Sequence, residues 1–106
     1  MKKKEERTSA DSQFEKENVK YVLRLFITGA SPNSIRAVNN IKQLCENRLK
    51  GQYSLEIIDV YQQKTIAEKE QIIALPLLVK KLPLPERRLI GDMSQTEKVL
   101  KGLGLL

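Results

Sequence analysis

Three prolines within ten residues constrain this chain more than any other feature. In Ala74–Ser94, ALPLLVKKLPLPERRLIGDMS, Pro76 precedes the apolar run Leu77-Leu78-Val79, and Pro83 and Pro85 bracket a tight connection. Arg88-Leu89-Ile90 follows and runs into Gly91-Asp92. Proline has no amide N–H to give to a ladder, so each one marks a strand end rather than a strand interior. The spacing predicts two short strands joined as a hairpin-like pair, with a helix starting at Ser94. Leu75-Pro76 is a candidate cis bond, although only about 5% of X-Pro bonds in folded proteins are cis. An isolated strand pair is barely stable in water, so the upstream sequence must supply what it packs against.

That upstream sequence reads clearly. Val19–Thr28, VKYVLRLFIT, is rich in β-branched and aromatic residues. Tyr21, Leu23, Leu25 and Ile27 fall on one face and Val22, Arg24 and Phe26 on the other, so both faces are largely apolar and the strand is central. Gly29-Ala30 ends it. Ser31-Pro32 opens a helix, with serine as N-cap and proline at N1, where a missing N–H costs nothing. Ile35, Val38, Ile41, Leu44, Cys45 and Leu49 trace one helical face, and Lys50-Gly51 closes it with glycine suited to the left-handed C′ position. Tyr53–Val60, YSLEIIDV, is the next strand. Strand, helix, strand at this spacing is a βαβ unit with parallel strands and a right-handed crossover. Thr65-Ile66-Ala67-Glu68 reads as a capping box opening a short helix to Ile73, with Ile66, Ile73 and Ala67 on its inner side. Ser94-Gln95-Thr96-Glu97 is a second capping box, followed by Val99, Leu100, Leu103 and Leu106 at helical spacing.

The last helix carries a conflict. Gly102 and Gly104 lie in its second half, and each costs about 0.8–1.0 kcal/mol relative to alanine in a helix interior. The propensities predict fraying after Lys101. The sharper alternative is a terminus that is not helical in every state of the protein. On either reading, alanine at both positions should favour the helical form.

The 106 residues suffice for one domain with an adequate core. Residues 1–20 hold six basic and five acidic side chains and, Met1 aside, only Phe14 and Val19 as large apolar ones. Residues 1–18 therefore read as a disordered arm and 19–106 as the domain; no apolar run follows the lysines, as a targeting peptide would need. Of the net charge of +6, the arm's balance leaves most on the domain. No apolar run approaches the roughly 18 residues of a membrane span. A single cysteine rules out an internal disulfide, and with no signal sequence a cytoplasmic location follows.

Chemical machinery is scarce. With no histidine there is neither an imidazole base nor a histidine metal ligand, and no phosphate-binding GxxxxGK[ST] loop occurs. Asp59 reads as a structural acceptor at a strand end, Asp92 as a turn residue and Cys45 as a small core hydrophobe. No catalysis, metal or cofactor is expected. What remains is charge: Lys80, Lys81, Arg87 and Arg88 cluster around the LPLP connection, and Arg24 and Arg36 can join them. Nucleic-acid binding would need interleaved aromatics, and Phe14, Tyr21, Phe26, Tyr53 and Tyr61 lie elsewhere. The cluster is either a solvated rim or a docking surface for an acidic protein.

The element order, βαβαββα, resembles the thioredoxin fold, an α/β class. Ser31 and Ser34 hold the spacing of that fold's redox CxxC, but a hydroxyl cannot exchange with disulfides. Pro76 fits its cis-proline position.

Specific segments go further. Gly29, Pro32-Asn33-Ser34, Arg36-Ala37, Ile58-Asp59-Val60, Ala67-Glu68 and Ala74 come first. Pro76, Leu82-Pro83-Leu84-Pro85, Arg87-Arg88, Ile90-Gly91-Asp92, Ser94, Glu97-Lys98-Val99-Leu100 and Gly102-Leu103 follow. From about Tyr21 to Leu106 the chain resembles the KaiB family. The resemblance implies a non-catalytic regulator without cofactors that binds the N-terminal ATPase ring of a KaiC-like protein. It would control that protein's phosphorylation or ATPase state in a circadian rhythm or in stress adaptation. It also implies metamorphic behaviour: a thioredoxin-like, partner-binding state in slow exchange with a second fold of the C-terminal half, usually as a homotetramer. Position by position it implies Arg36, Lys80 and Arg88 as partner contacts, and Pro76, Gly102 and Gly104 as fold-switch residues. Glu56 and Gln71 stand where relatives usually carry lysine, Leu75 where they carry threonine and Gly104 where they carry aspartate. The alternative is a thioredoxin-like docking or sensor domain that no longer binds KaiC.

Overall fold

Tyr21–Ile27 forms strand β1, and the remaining elements assemble around it in the computed structural model, which describes residues 19–106. The arm expected over 1–18 lies outside the described residues. Helix α1 (Pro32–Arg48), β2 (Tyr53–Asp59), α2 (Lys64–Glu70), β3 (Leu77–Leu82), β4 (Arg87–Ile90) and α3 (Thr96–Leu103) follow in order. The sheet order is β2-β1-β3-β4. As the βαβ reading requires, β1 runs parallel to β2, from Tyr21 opposite Tyr53 to Ile27 opposite Asp59. The proline-bounded strands β3 and β4 are antiparallel, with Leu77 opposite Ile90 and Lys80 opposite Arg87.

β1 has a strand on each side and helices over both faces, which is why neither face is polar. On one face Leu23, Leu25 and Leu78 are buried beneath Ala37, Ile41 and Cys45 of α1 and Val99 and Leu103 of α3. On the other, Phe26, Ile58, Leu77 and Val79 pack with Ile66 of α2 and with Val60, Ile72 and Leu75.

The α1 cap forms as expected: Ser31 Oγ accepts from the Ser34 N–H at 3.3 Å, with proline in the first turn. Ser34 and Ala37 take the innermost positions, and Ile35, one residue off that stripe, is half exposed.

Four local expectations are corrected. The helix α2 is not opened by a capping box. The Asp59 carbonyl accepts from both Gln62 and Gln63, at 3.0 and 2.9 Å, so the turn begins earlier and Gln63 becomes the N-cap without a side-chain bond. This helix also stops at Glu70, because Gln71 adopts a left-handed φ of 55°. Ile73 is therefore 96% exposed, and Ile72 takes the inner place. Ser94 is no N-cap either: its N–H goes to Asp92 Oδ1 at 3.1 Å, and α3 starts at Thr96.

The fourth concerns the end of α3. It does not fray after Lys101 but continues through Gly102 to Leu103, leaving Leu106 beyond it and exposed. A Cβ at Gly102 would lie 2.7 Å from Leu89 Cδ1 and Cδ2, so bare backbone is what lets α3 lie on β4. Gly104 caps the helix at a φ of +80°, a conformation natural to glycine. Tertiary contact competes with propensity here: a side chain at Gly102 would press on Leu89 and one at Gly104 would have to hold a left-handed φ, so alanine at the two positions is expected to disfavour this fold. The Leu75–Pro76, Leu82–Pro83 and Leu84–Pro85 bonds are all cis.

Candidate docking surface

The place where a thioredoxin would carry its thiols is filled with hydroxyls bonded to one another. Ser31 Oγ donates to Ser34 Oγ at 2.8 Å, and the Thr28 N–H donates to Ser34 Oγ at 3.1 Å. Ser34 is buried. The pair fastens the start of α1 to the end of β1. Cys45 is fully buried on α1, and burial, helped by Glu46, pushes its thiol up to about 11. At neutral pH it stays protonated and inert. Among the described residues no group of three or more His, Cys, Asp or Glu side chains is placed to hold a metal ion. Asp59 is the structural acceptor expected, taking the Tyr61 N–H at 2.9 Å.

The basic residues organise around a carboxylate that the sequence did not single out. Glu70, the last residue of α2, is nearly buried. Its Oε1 accepts from Lys81 Nζ of β3 at 2.8 Å and from Arg88 Nη2 of β4 at 2.9 Å. Its backbone carbonyl accepts from the same Arg88 nitrogen at 2.6 Å. Arg24 Nη1 of β1 lies 3.8 Å from Oε2. Arg24 also pairs with Glu56, which stands opposite it on β2, at 3.1 Å. The charge at position 56 is thus answered within the sheet. Alternation along each strand places Arg24, Lys81 and Arg88 on the α2 face of the sheet. Spacing along the chain could not have revealed Glu70, because its partners come from three separate strands.

The three expected partner contacts fall in three places. Arg88 is part of the Glu70 cluster. Lys80, one residue from Lys81, points to the opposite face and is 5% exposed. Burial, then the charge of Arg87, holds its ammonium below the usual lysine range. Arg36 stands in the first turns of α1, more than half exposed, and its Nε bonds Asp92 Oδ2 at 3.1 Å; the same guanidinium donates to Asn33 Oδ1. Hydrogen bonds from the Ser94 side chain and backbone, then from Arg36, hold the Asp92 carboxyl below the usual carboxylate range. Asn40 Nδ2 donates to the Asp92 carbonyl at 2.9 Å. Asp92 is the turn residue expected and also ties α1 to the loop before α3.

Of the fold-switch candidates, Pro76 precedes β3, its carbonyl accepting from the Gly91 N–H at 3.0 Å. Gly102 and Gly104 sit inside and at the cap of α3. A groove of about 380 Å³ beside α2 is lined by Val60, Ala67, Glu68, Gln71, Ile72 and Leu75 and brings no catalytic constellation together. No helix among the described residues is long and apolar enough to cross a membrane.

The fold is thioredoxin-like. It superposes on the N-terminal domain of Synechococcus elongatus SasA with a TM-score of 0.65 at 23% identity, covering 83% of this chain and 87% of that one. Mitochondrial thioredoxin 3 of Saccharomyces cerevisiae gives 0.67 at 16% identity, covering 93% and 90%. In sequence, the circadian clock oscillator protein KaiB of Prochlorococcus marinus subsp. pastoris is 52% identical over 86 residues, 81% of this chain and 80% of that protein. The KaiB of a Synechococcus elongatus strain is 49% identical over 86 residues, 81% of this chain and 84% of its own length. The family model described as the KaiB domain matches residues 24–105. On that match and those identities, this chain belongs to the KaiB family.

Proposed function

We propose that this chain is a non-catalytic regulator of the KaiB type, binding the N-terminal ATPase ring of a KaiC-like hexamer and controlling its phosphorylation or ATPase state. The KaiB-domain match over residues 24–105 carries this reading. The inert Cys45 and the hydroxyl pair at Ser31 and Ser34 agree with a protein that acts by shape and charge. Arg36 and Arg88, both partly exposed, are its basic contacts. Lys80 is the third by position, and its burial makes it the one whose loss weakens binding least. The fold described here is the partner-binding state. It exchanges slowly with a second arrangement of the C-terminal half, as a dimer or tetramer, through Pro76, Gly102 and Gly104.

The test is capture of the host's KaiC-like ATPase by the purified full chain, with and without ATP. Nucleotide-dependent capture that Arg88→Ala weakens supports the reading; no capture in either condition overturns it. A second reading is a docking domain that does not switch, favoured by the likeness in fold to the SasA N-terminal domain. A single set of amide NMR signals would support this second reading. Two slowly exchanging sets would support switching.

A further inference from the structure

Lys81 and Arg88 are each held between two carboxylates of unequal grip. The inner one, Glu70, makes hydrogen bonds of 2.8 and 2.9 Å, and its side chain is 9% exposed. The outer one, Glu86, is 42% exposed and lies 3.7 Å from Lys81 Nζ and 4.0 Å from Arg88 Nε. Those separations are beyond hydrogen-bond reach, and exposed ion pairs of that kind are weak. Glu70 uses only Nη2 of the Arg88 guanidinium, leaving the rest of that planar fork for a second carboxylate.

The cluster is charge-balanced as it stands. Arg24, Lys81 and Arg88 face Glu56, Glu70 and Glu86. Glu86 is the loosely held member. Removing it leaves a positive excess on the α2 face of the sheet, and such an excess draws an anion. Like-for-like exchange of one carboxylate for another restores the balance. Glu86 also sits in the connection that exposes Leu82 and Leu84, apolar surface that a protein partner would cover and a free ion would not.

We propose that Glu86 is a built-in surrogate ligand: it covers the outer side of Lys81 and Arg88 until an Asp or Glu side chain of a docking protein replaces it, while Glu70 positions the two cations. The inference rests on the reading of Arg88 as a partner contact and adds what competes for it. Glu86 thereby lowers affinity for every acidic partner and raises the demand on geometry.

The experiment is a titration of the isotopically labelled full chain with a six-residue poly-glutamate peptide, followed by amide NMR. A poly-glutamine peptide and inorganic phosphate serve as controls. The expected result is shifts centred on Lys81 and Arg88, with Glu86→Gln tightening binding about two- to fivefold. Equal affinity for Glu86→Gln and the parent chain overturns the proposal, as do shifts centred on Arg36 or an equal response to phosphate. Glu70→Gln should weaken binding, but Glu86→Gln, an exposed change, decides the matter even if Glu70→Gln does not fold. No ATPase enters this titration. Tighter peptide binding without ATPase capture would sink the KaiC reading alone, whereas ATPase capture indifferent to Glu86→Gln would sink this one alone.

Discussion

A methyl group at Gly102 would stand 2.7 Å from both terminal carbons of Leu89, so α3 rests on β4 through a contact that glycine permits. Propensity alone says that alanine there stabilises the helix by about 1 kcal/mol. The contact reverses the sign. Gly102→Ala should cost about 1–2 kcal/mol, the usual penalty for overpacking, read as a lower urea midpoint at unchanged slope. Leu89→Ala in the same chain should cost less than its single effect predicts; simple additivity would show the contact to be idle. Gly104→Ala, at a φ of +80°, should cost about 1 kcal/mol more. If the second fold exists, both changes enlarge its NMR signals at the expense of this one.

Glu70→Ala should be among the most damaging polar changes in the chain. Removing one partner of a buried charge cluster costs about 3–5 kcal/mol. The loss here should be about 2–3 kcal/mol, because Arg24, Lys81 and Arg88 keep roughly a third of their surface in solvent and water screens them. Chemical denaturation measures it. In a double-mutant cycle, Glu70→Ala and Arg88→Ala should deviate from additivity by about 1 kcal/mol or more.

Much of the fold was legible in local pattern. The apolar faces of β1 called for neighbours on both sides, Ser31-Pro32 marked the start of α1, and the prolines bounded β3 and β4. What escaped was set by backbone turns that propensity does not show and by tertiary contact. The end of α2 depends on a left-handed Gln71, the end of α3 on the space beside Leu89, and the fate of Ser94 on Asp92. The charged surface was legible as composition but not as geometry. Lys80 and Lys81 are neighbours in the chain, yet strand alternation sends them to opposite faces, and the carboxylate that gathers Lys81, Arg88 and Arg24 arrives from a helix.

Cys45 should resist a thiol reagent at pH 8 and react only as fast as the chain opens, because burial raises its pKa from 9.0 to about 11. A folded-state pKa above the unfolded one gives stability that is complete below pH 9 and lost as pH rises toward 11. Tyr53, raised from 10.0 to about 12 by its hydrogen bond to Glu46, adds a loss of the same sign. Lys80 opposes both: its lowered pKa makes stability rise as pH climbs from its folded value toward 10.5. Stability measured against pH should fall above pH 9, and Cys45→Ala should flatten the fall. A Cys45 that labels at once in the native state would contradict this.

Asp92 contributes on the acid side. Its carboxyl is held below the usual range, so its contribution is present above the unfolded value near about 3.9 and disappears as pH falls through the folded one. Asp92→Asn should make stability less dependent on pH below about 4. Arg36→Ala should do so in part, since Arg36 is the smaller cause after Ser94. An acid profile unchanged in Asp92→Asn would assign that dependence elsewhere.

The most direct measurement is equilibrium binding of the full chain to the host's KaiC-like hexamer by sedimentation, with and without ATP, for the parent chain and for Arg36→Ala, Arg88→Ala and Lys80→Ala. ATP-dependent binding is expected, weakened clearly by the two arginine changes and least by Lys80→Ala. Absence of binding under both conditions, or binding unaffected by either arginine, would contradict it.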